Sequence, residues 1–131
     1  MTDITSTDQD ADSNPLRVLI ADDEPLIRKA LQRLFERRGH STHTVPDAPS
    51  ALEALGTGSY DAVLVDLRMP GNGLTVIDHL ERDAGFGGVV VLMTGDLSAE
   101  AMEQVGPHVK RLEKPFRFPD VIPLVENGVR D

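Results

Sequence analysis

Three stretches of the chain are apolar without interruption: 18–21 within RVLIAD (17–22), 62–65 within DAVLVD (61–66), and 89–93 within VVVLMTG (89–95). Strands covered on both faces lose the two-residue alternation and read this way, so the three runs predict interior strands of a parallel sheet. HSTHTVP (40–46) and HVKRLEKP (108–115) mix β-branched and polar positions and predict edge strands. Between the strands the pattern turns helical. PLIRKALQRLFERRG (25–39) puts Leu26, Ile27, Ala30, Leu31, Leu34 and Phe35 on one face, with Gly39 suited to the exit. Asp47 is placed to cap a helix over ALEALG (51–56), and LTVIDHLERD (74–83) is amphipathic. Ser98 is placed to cap SAEAMEQVG (98–106), and FPDVIPLVENG (118–128) predicts a last helix.

Five strands alternating with five helical segments predict an α/β fold, a doubly wound parallel sheet with helices on both faces. Apolar first, third and fourth strands belong inside and the polar second and fifth at the edges. With right-handed crossovers this gives the order 2-1-3-4-5. The winding reverses between strands 1 and 3, and open sheets bind ligands at such a reversal, outside the carboxyl ends of the strands.

Composition narrows the picture. At 131 residues one domain is expected. Residues 1–15 carry Asp3, Asp8, Asp10 and Asp12 and no basic residue, which predicts a disordered acidic leader before a domain over 16–131. The whole chain has 13 basic and 22 acidic residues, a net charge of −9, which argues against binding nucleic acid. No cysteine is present, so disulfides and thiolate chemistry are excluded. No apolar run approaches membrane-spanning length and the start has no signal-peptide pattern, so a cytoplasmic protein is expected.

The chemistry-bearing residues stand where the strands end. Asp22, Asp23 and Glu24 follow strand 1, Asp66 ends strand 3, Thr94 ends strand 4, and Lys114 ends strand 5. Two carboxylates at 4 Å repel by about 4 kcal/mol at an effective dielectric of about 20. Such a cluster either takes up protons or holds a cation, and an all-oxygen donor set suits Mg²⁺. A strand-end aspartate beside a hard cation and a lysine is a workable site for phosphoryl transfer, with the aspartate as nucleophile. Singly, each residue has a plainer reading as a helix-end acid, a turn residue or a solvated lysine.

The ordered set VLIADDEPLIRKAL, DAVLVDLRMPG, VVVLMTG and LEKPF resembles the response-regulator receiver domain of two-component signalling, over about residues 16–128. The resemblance implies the flavodoxin-like (βα)5 fold. It implies Asp66 as phosphoacceptor, Asp23 as a direct Mg²⁺ ligand, Asp22 acting mainly through coordinated water, and the Arg68 backbone carbonyl as a further ligand. It also implies Thr94 as the switch hydroxyl, Lys114 as the partner of the phosphoryl group, and a cis Lys114–Pro115 bond. The chain departs from the pattern in three places. The loop MPGNGL (69–74) is one residue short, Arg111 stands where an aromatic ring is frequent, and Pro123 falls inside the last helix.

The expected function is that of a stand-alone receiver taking a phosphoryl group from a sensor histidine kinase or phosphotransfer protein, with no enzymatic turnover beyond its own phosphorylation and dephosphorylation. The alternatives are a pseudo-receiver that is never phosphorylated and a receiver excised from a hybrid histidine kinase. Arg111 is expected to stay exposed or to find an acidic partner. Pro123 is expected to shorten or kink the last helix. With that output face altered, the protein is expected to be mainly monomeric and its response to phosphorylation to fall on residues 94–106. Arg68 and Asp96 are expected to pair across the site.

Overall fold

The computed structural model describes residues 15–130 except 84 and 99. The expected leader, apart from Pro15, lies outside the described residues. The strands are β1 (Arg17–Ala21), β2 (Ser41–Val45), β3 (Ala62–Asp66), β4 (Val89–Thr94) and β5 (Lys110–Glu113). They form one five-stranded sheet in the order β2-β1-β3-β4-β5, all neighbours parallel. β3 and β4 are buried throughout and β1 from its second residue on, whereas β2 alternates and β5 is half exposed. The hydropathy pattern therefore assigned interior and edge strands correctly.

The helices are α1 (Pro25–Arg37), α2 (Ala48–Thr57), α3 (Gly73–Arg82) and α4 (Val121–Arg130), with 3-10 helices at Glu100–Gln104 and Phe118–Asp120. Successive strand residues point to opposite faces, which splits the core in two. Val18, Ile20, Leu64, Val91 and Met93 pack with Leu31 and Phe35 of α1 and with Val121 and Val125 of α4. Leu19, Val63, Val65, Val90 and Leu92 pack with Ala51 and Ala54 of α2 and with Val76, Ile77 and Leu80 of α3. Gly39 closes α1 at φ 92°, a left-handed conformation that costs glycine little. The Asp47 side chain accepts from the Ser50 N–H and starts α2 as expected.

Three expectations are corrected. Ser98 does not cap a fourth α-helix: its N–H and hydroxyl both donate to Asp96 Oδ1, and the helical piece that follows is the short 3-10 Glu100–Gln104. The Asp96 side chain holds Ser98 in a local turn ahead of this piece. Pro123 does not interrupt the last helix, which runs from Val121 to Arg130. It is the third residue of α4, in the first turn, where a proline forfeits no hydrogen bond within the α-helix. Arg111 is half-buried and has no acidic partner among the described residues. It donates from Nη1 to the Val109 carbonyl (3.0 Å) and from Nη2 to the carbonyls of Val105 (3.0 Å) and Gly106 (3.3 Å). Three main-chain oxygens do the work expected of a carboxylate.

One cluster stands at the end of the sheet where the strands begin. The Leu16 N–H donates to His40 Nδ1 (2.9 Å), so the ring presents its proton from Nε2 to Glu126 of α4 (2.8 Å). Arg38 donates to the same carboxylate through Nε and Nη2, each at 2.7 Å. Arg38 and, against the cost of burial, His40 hold the Glu126 carboxyl down at about 2.

Candidate functional site

The parallel register brings the strand ends level. Ala21 pairs with Val65, Asp66 with Met93, and Thr94 with Glu113, so the residues just past these positions meet along one edge of the sheet. Asp22 is fully buried directly after β1, with its N–H on the Val45 carbonyl (3.1 Å). Its Oδ1 accepts from the Glu24 N–H (2.8 Å), its Oδ2 from Lys114 Nζ (2.9 Å), and its carbonyl from Arg28 Nη1 (2.7 Å). Asp23 is exposed beside it. Glu24 is the N-cap of α1 yet its side chain makes no capping bond; its Oε2 lies 3.5 Å from Lys114 Nζ. Asp22 and Glu24 therefore both reach the lysine, and the Glu24 side chain is not spent on the helix start.

Asp66, the last residue of β3, is nearly buried, and its Oδ1 accepts from the Arg68 N–H (3.2 Å) and lies 3.5 Å from Lys114 Nζ. The carboxylates of Asp22, Asp23 and Asp66 each place an oxygen within 4.8 Å of the others. Burial first, then the charge of Asp22, raises the Asp66 carboxyl to about 6 against the opposing pull of Lys114 and the Arg68 N–H. Burial by itself pulls Lys114 down; its hydrogen bond to Asp22 and the charges of Asp22, Asp66 and Glu24 outweigh this and leave its ammonium above the usual value. Three carboxylates face one close ammonium, and the excess negative charge together with hard oxygen donors fits a small divalent cation such as Mg²⁺.

Thr94 is buried at the end of β4, where its hydroxyl accepts from the Asp96 N–H (3.2 Å) and its carbonyl from the Lys114 N–H (2.6 Å). The Lys114–Pro115 bond is cis, as the resemblance implied. Asp96 and Arg68 form no ion pair; the hydrogen bonds of Ser98 lower the Asp96 carboxyl, and Arg68 adds only a long-range charge. Asp23 and Arg68 line an open cleft of about 460 Å³ with Leu67, Met69, Pro70, Asn72 and Leu74.

The short loop after Asp66 closes by consecutive left-handed residues, Gly71 (φ 87°) and Asn72 (φ 71°), and Asn72 then caps α3 through the Leu74 N–H. Gly73 was not singled out from sequence, yet a Cβ there would stand 2.2 Å from the Asp66 carbonyl oxygen. Its only signal was a glycine following Asn72. Arg28, which anchors the Asp22 carbonyl, gave no signal beyond helical periodicity.

Comparison with known proteins agrees with this geometry. The family model described as "Response regulator receiver domain" matches residues 18–126. The sensory/regulatory protein RpfC of Xanthomonas campestris is 41% identical over 98 residues, 70% of this chain, and the match spans 14% of that protein. The Francisella response regulator 1452 receiver domain superposes with a TM-score of 0.77 at 26% identity, covering 89% of this chain and 98% of that one. The receiver domain of a Pseudomonas aeruginosa sensor histidine kinase, described with magnesium coordinated in its active-site cleft, has a TM-score of 0.79 at 20% identity, covering 90% and 100% of the two chains.

Proposed function

The chain belongs to the response-regulator receiver family, a family of two-component signalling modules, and from that premise we propose that it accepts a phosphoryl group on Asp66 from a histidine kinase or a phosphotransfer protein. The observation that carries the reading is the convergence of Asp22, Asp23, Asp66 and Lys114 at one sheet edge. A carboxylate oxygen of Asp66 attacks phosphorus, the phosphorus–nitrogen bond of a phosphohistidine breaks, and the departing imidazole takes a proton. Lys114 is held by Asp22 within reach of Asp66, where it meets negative charge on the transferred group. Thr94 offers a hydroxyl at the end of the neighbouring strand. Asp22, Asp23, Asp66 and the Arg68 carbonyl are the residues to hold Mg²⁺, which when bound supplies charge neutralisation for the transfer. The protein then signals in the cytoplasm by phosphorylation-dependent binding or by passing the group on.

A second reading, a receiver working as part of a sensor kinase, draws on the relatives in RpfC and in the Pseudomonas kinase. Incubation with acetyl phosphate and Mg²⁺ followed by intact mass spectrometry tests the phosphorylation. The expected adduct is about 80 Da, one phosphoryl group. It should vanish in Asp66→Asn and on chelation of the metal. A wild-type protein that takes no adduct would make it a pseudo-receiver. Phosphotransfer assays with purified kinases separate the stand-alone reading from the sensor-kinase one.

A further inference from the structure

α1 is the basic helix of an acidic protein. Residues 25–38 carry Arg28, Lys29, Arg33, Arg37 and Arg38 against one acid, Glu36, while the whole chain is at −9. Arg28 is turned to the Asp22 carbonyl and Arg38 to Glu126. Lys29, Arg33 and Arg37 are exposed, and none of them has an ion-pair partner among the described residues. Their spacing places them in one line along the helix, and Leu26, 82% exposed, extends that line toward the Asp22–Glu24 turn.

Residues 1–14 join the domain at the foot of this stripe. The Leu16 N–H is bonded to His40 and the Leu16 carbonyl accepts from the Ser41 N–H, just past the C-terminal end of α1. The leader carries four aspartates and no basic side chain. Fourteen residues extended reach about 46 Å, whereas the 13 residues of α1 span about 20 Å. The spacings also match. Asp8, Asp10 and Asp12 recur every second residue, about 6.6 Å apart and on one side of an extended chain. Lys29, Arg33 and Arg37 recur every fourth residue, about 6 Å apart along a helix.

We propose that the acidic leader docks in extended form along the Lys29–Arg33–Arg37 stripe of its own α1, Asp12 toward Arg37 and Asp8 toward Lys29. Tethering supplies an effective concentration in the mM range, so weak exposed pairs suffice. The docked leader runs toward the helix end that opens on Asp22, Asp23 and Glu24.

The absence of cysteine makes the test direct. A nitroxide attached to Ser6→Cys in the full chain reports its neighbours by broadening of backbone amide signals. The expected result is loss of intensity over residues 26–33, recovered near 1 M salt, where the Debye length is about 3 Å. The same recovery is expected in Asp8→Asn/Asp10→Asn/Asp12→Asn and in Lys29→Gln/Arg33→Gln/Arg37→Gln, whose folding is checked from their spectra. Broadening confined to the anchor, residues 15–18 and 38–41, would overturn the proposal, as would broadening of α1 indifferent to salt and to both sets of substitutions. Broadening of unlabelled chains mixed with labelled ones would overturn docking within one chain. None of these readouts depends on phosphorylation.

Discussion

Replacing Asp66 by Asn should make the metal-free protein more stable at neutral pH, even as it removes the proposed phosphoacceptor. The side chain is 6% exposed and its carboxyl is raised from 3.8 to about 6. The folded state thus holds the Asp66 proton more tightly than the unfolded chain does. Between those two values the native state binds more protons than the unfolded one, so stability falls as pH rises; above about 6 the full penalty is present. A shift of about 2 units at 1.4 kcal/mol each corresponds to about 3 kcal/mol. Asparagine keeps the shape and carries no charge toward Asp22. Urea unfolding of both proteins in the absence of divalent cations, at pH 7.5 and pH 4, measures the difference. The variant should be more stable by about 3 kcal/mol at pH 7.5, with the gap closing toward pH 4. Added Mg²⁺ should narrow the gap at pH 7.5, because ligand binding stabilises the protein that keeps all three carboxylates. Equal stabilities at pH 7.5, or a gap that does not change with pH, would refute the account of crowded carboxylates.

Glu126 should act in the opposite direction: its carboxyl is held at about 2, so its contribution is complete above 4.5 and is lost as pH falls through 2. Glu126→Gln should cost about 3 kcal/mol at pH 7 and progressively less on acidification, read from thermal unfolding across that range. Gly73→Ala should destabilise by about 1–3 kcal/mol and slow acetyl phosphate labelling, because the new methyl group displaces the Asp66 backbone. Gly56→Ala, with nothing within 4 Å of the added carbon, serves as the control and should be neutral or slightly stabilising. Arg111→Ala should release the carbonyls of Val105, Gly106 and Val109 to solvent, costing about 1 kcal/mol and speeding hydrogen exchange over residues 105–109. Unchanged exchange there would show that the guanidinium does not hold the segment.

The strand order and the site were readable from sequence for the same reason. Burial on both faces forces 62–65 and 89–93 to be uniformly apolar, so polar residues at their ends stand out, and parallel pairing brings those ends together. What escaped depended on partners that leave no mark in composition. Arg111 is satisfied by main-chain oxygens, which every residue possesses, so no acid had to appear in the sequence for it. Ser98 carries a strong capping signal, but it is bound back to Asp96 in a local turn and only a short 3-10 helix follows. Pro123 reads as a helix breaker only when the start of the helix is placed too early; from Val121 it falls in the tolerant first turn. Gly73 matters through a contact with the Asp66 backbone, a proximity set by how the loop folds back.

The knot of Leu16, His40, Arg38 and Glu126 has a mechanical consequence. It fastens the first strand to the last helix at the pole of the sheet opposite Asp66, so both the entering and the leaving chain are anchored in one corner. A load applied at either tether is borne by that corner, and the carboxylate edge lies at the far end of every strand. A module strung this way can be carried inside a much longer polypeptide, as in RpfC, where the matched region is 14% of the length. Its neighbours can pull or pivot without shearing the carboxylates apart.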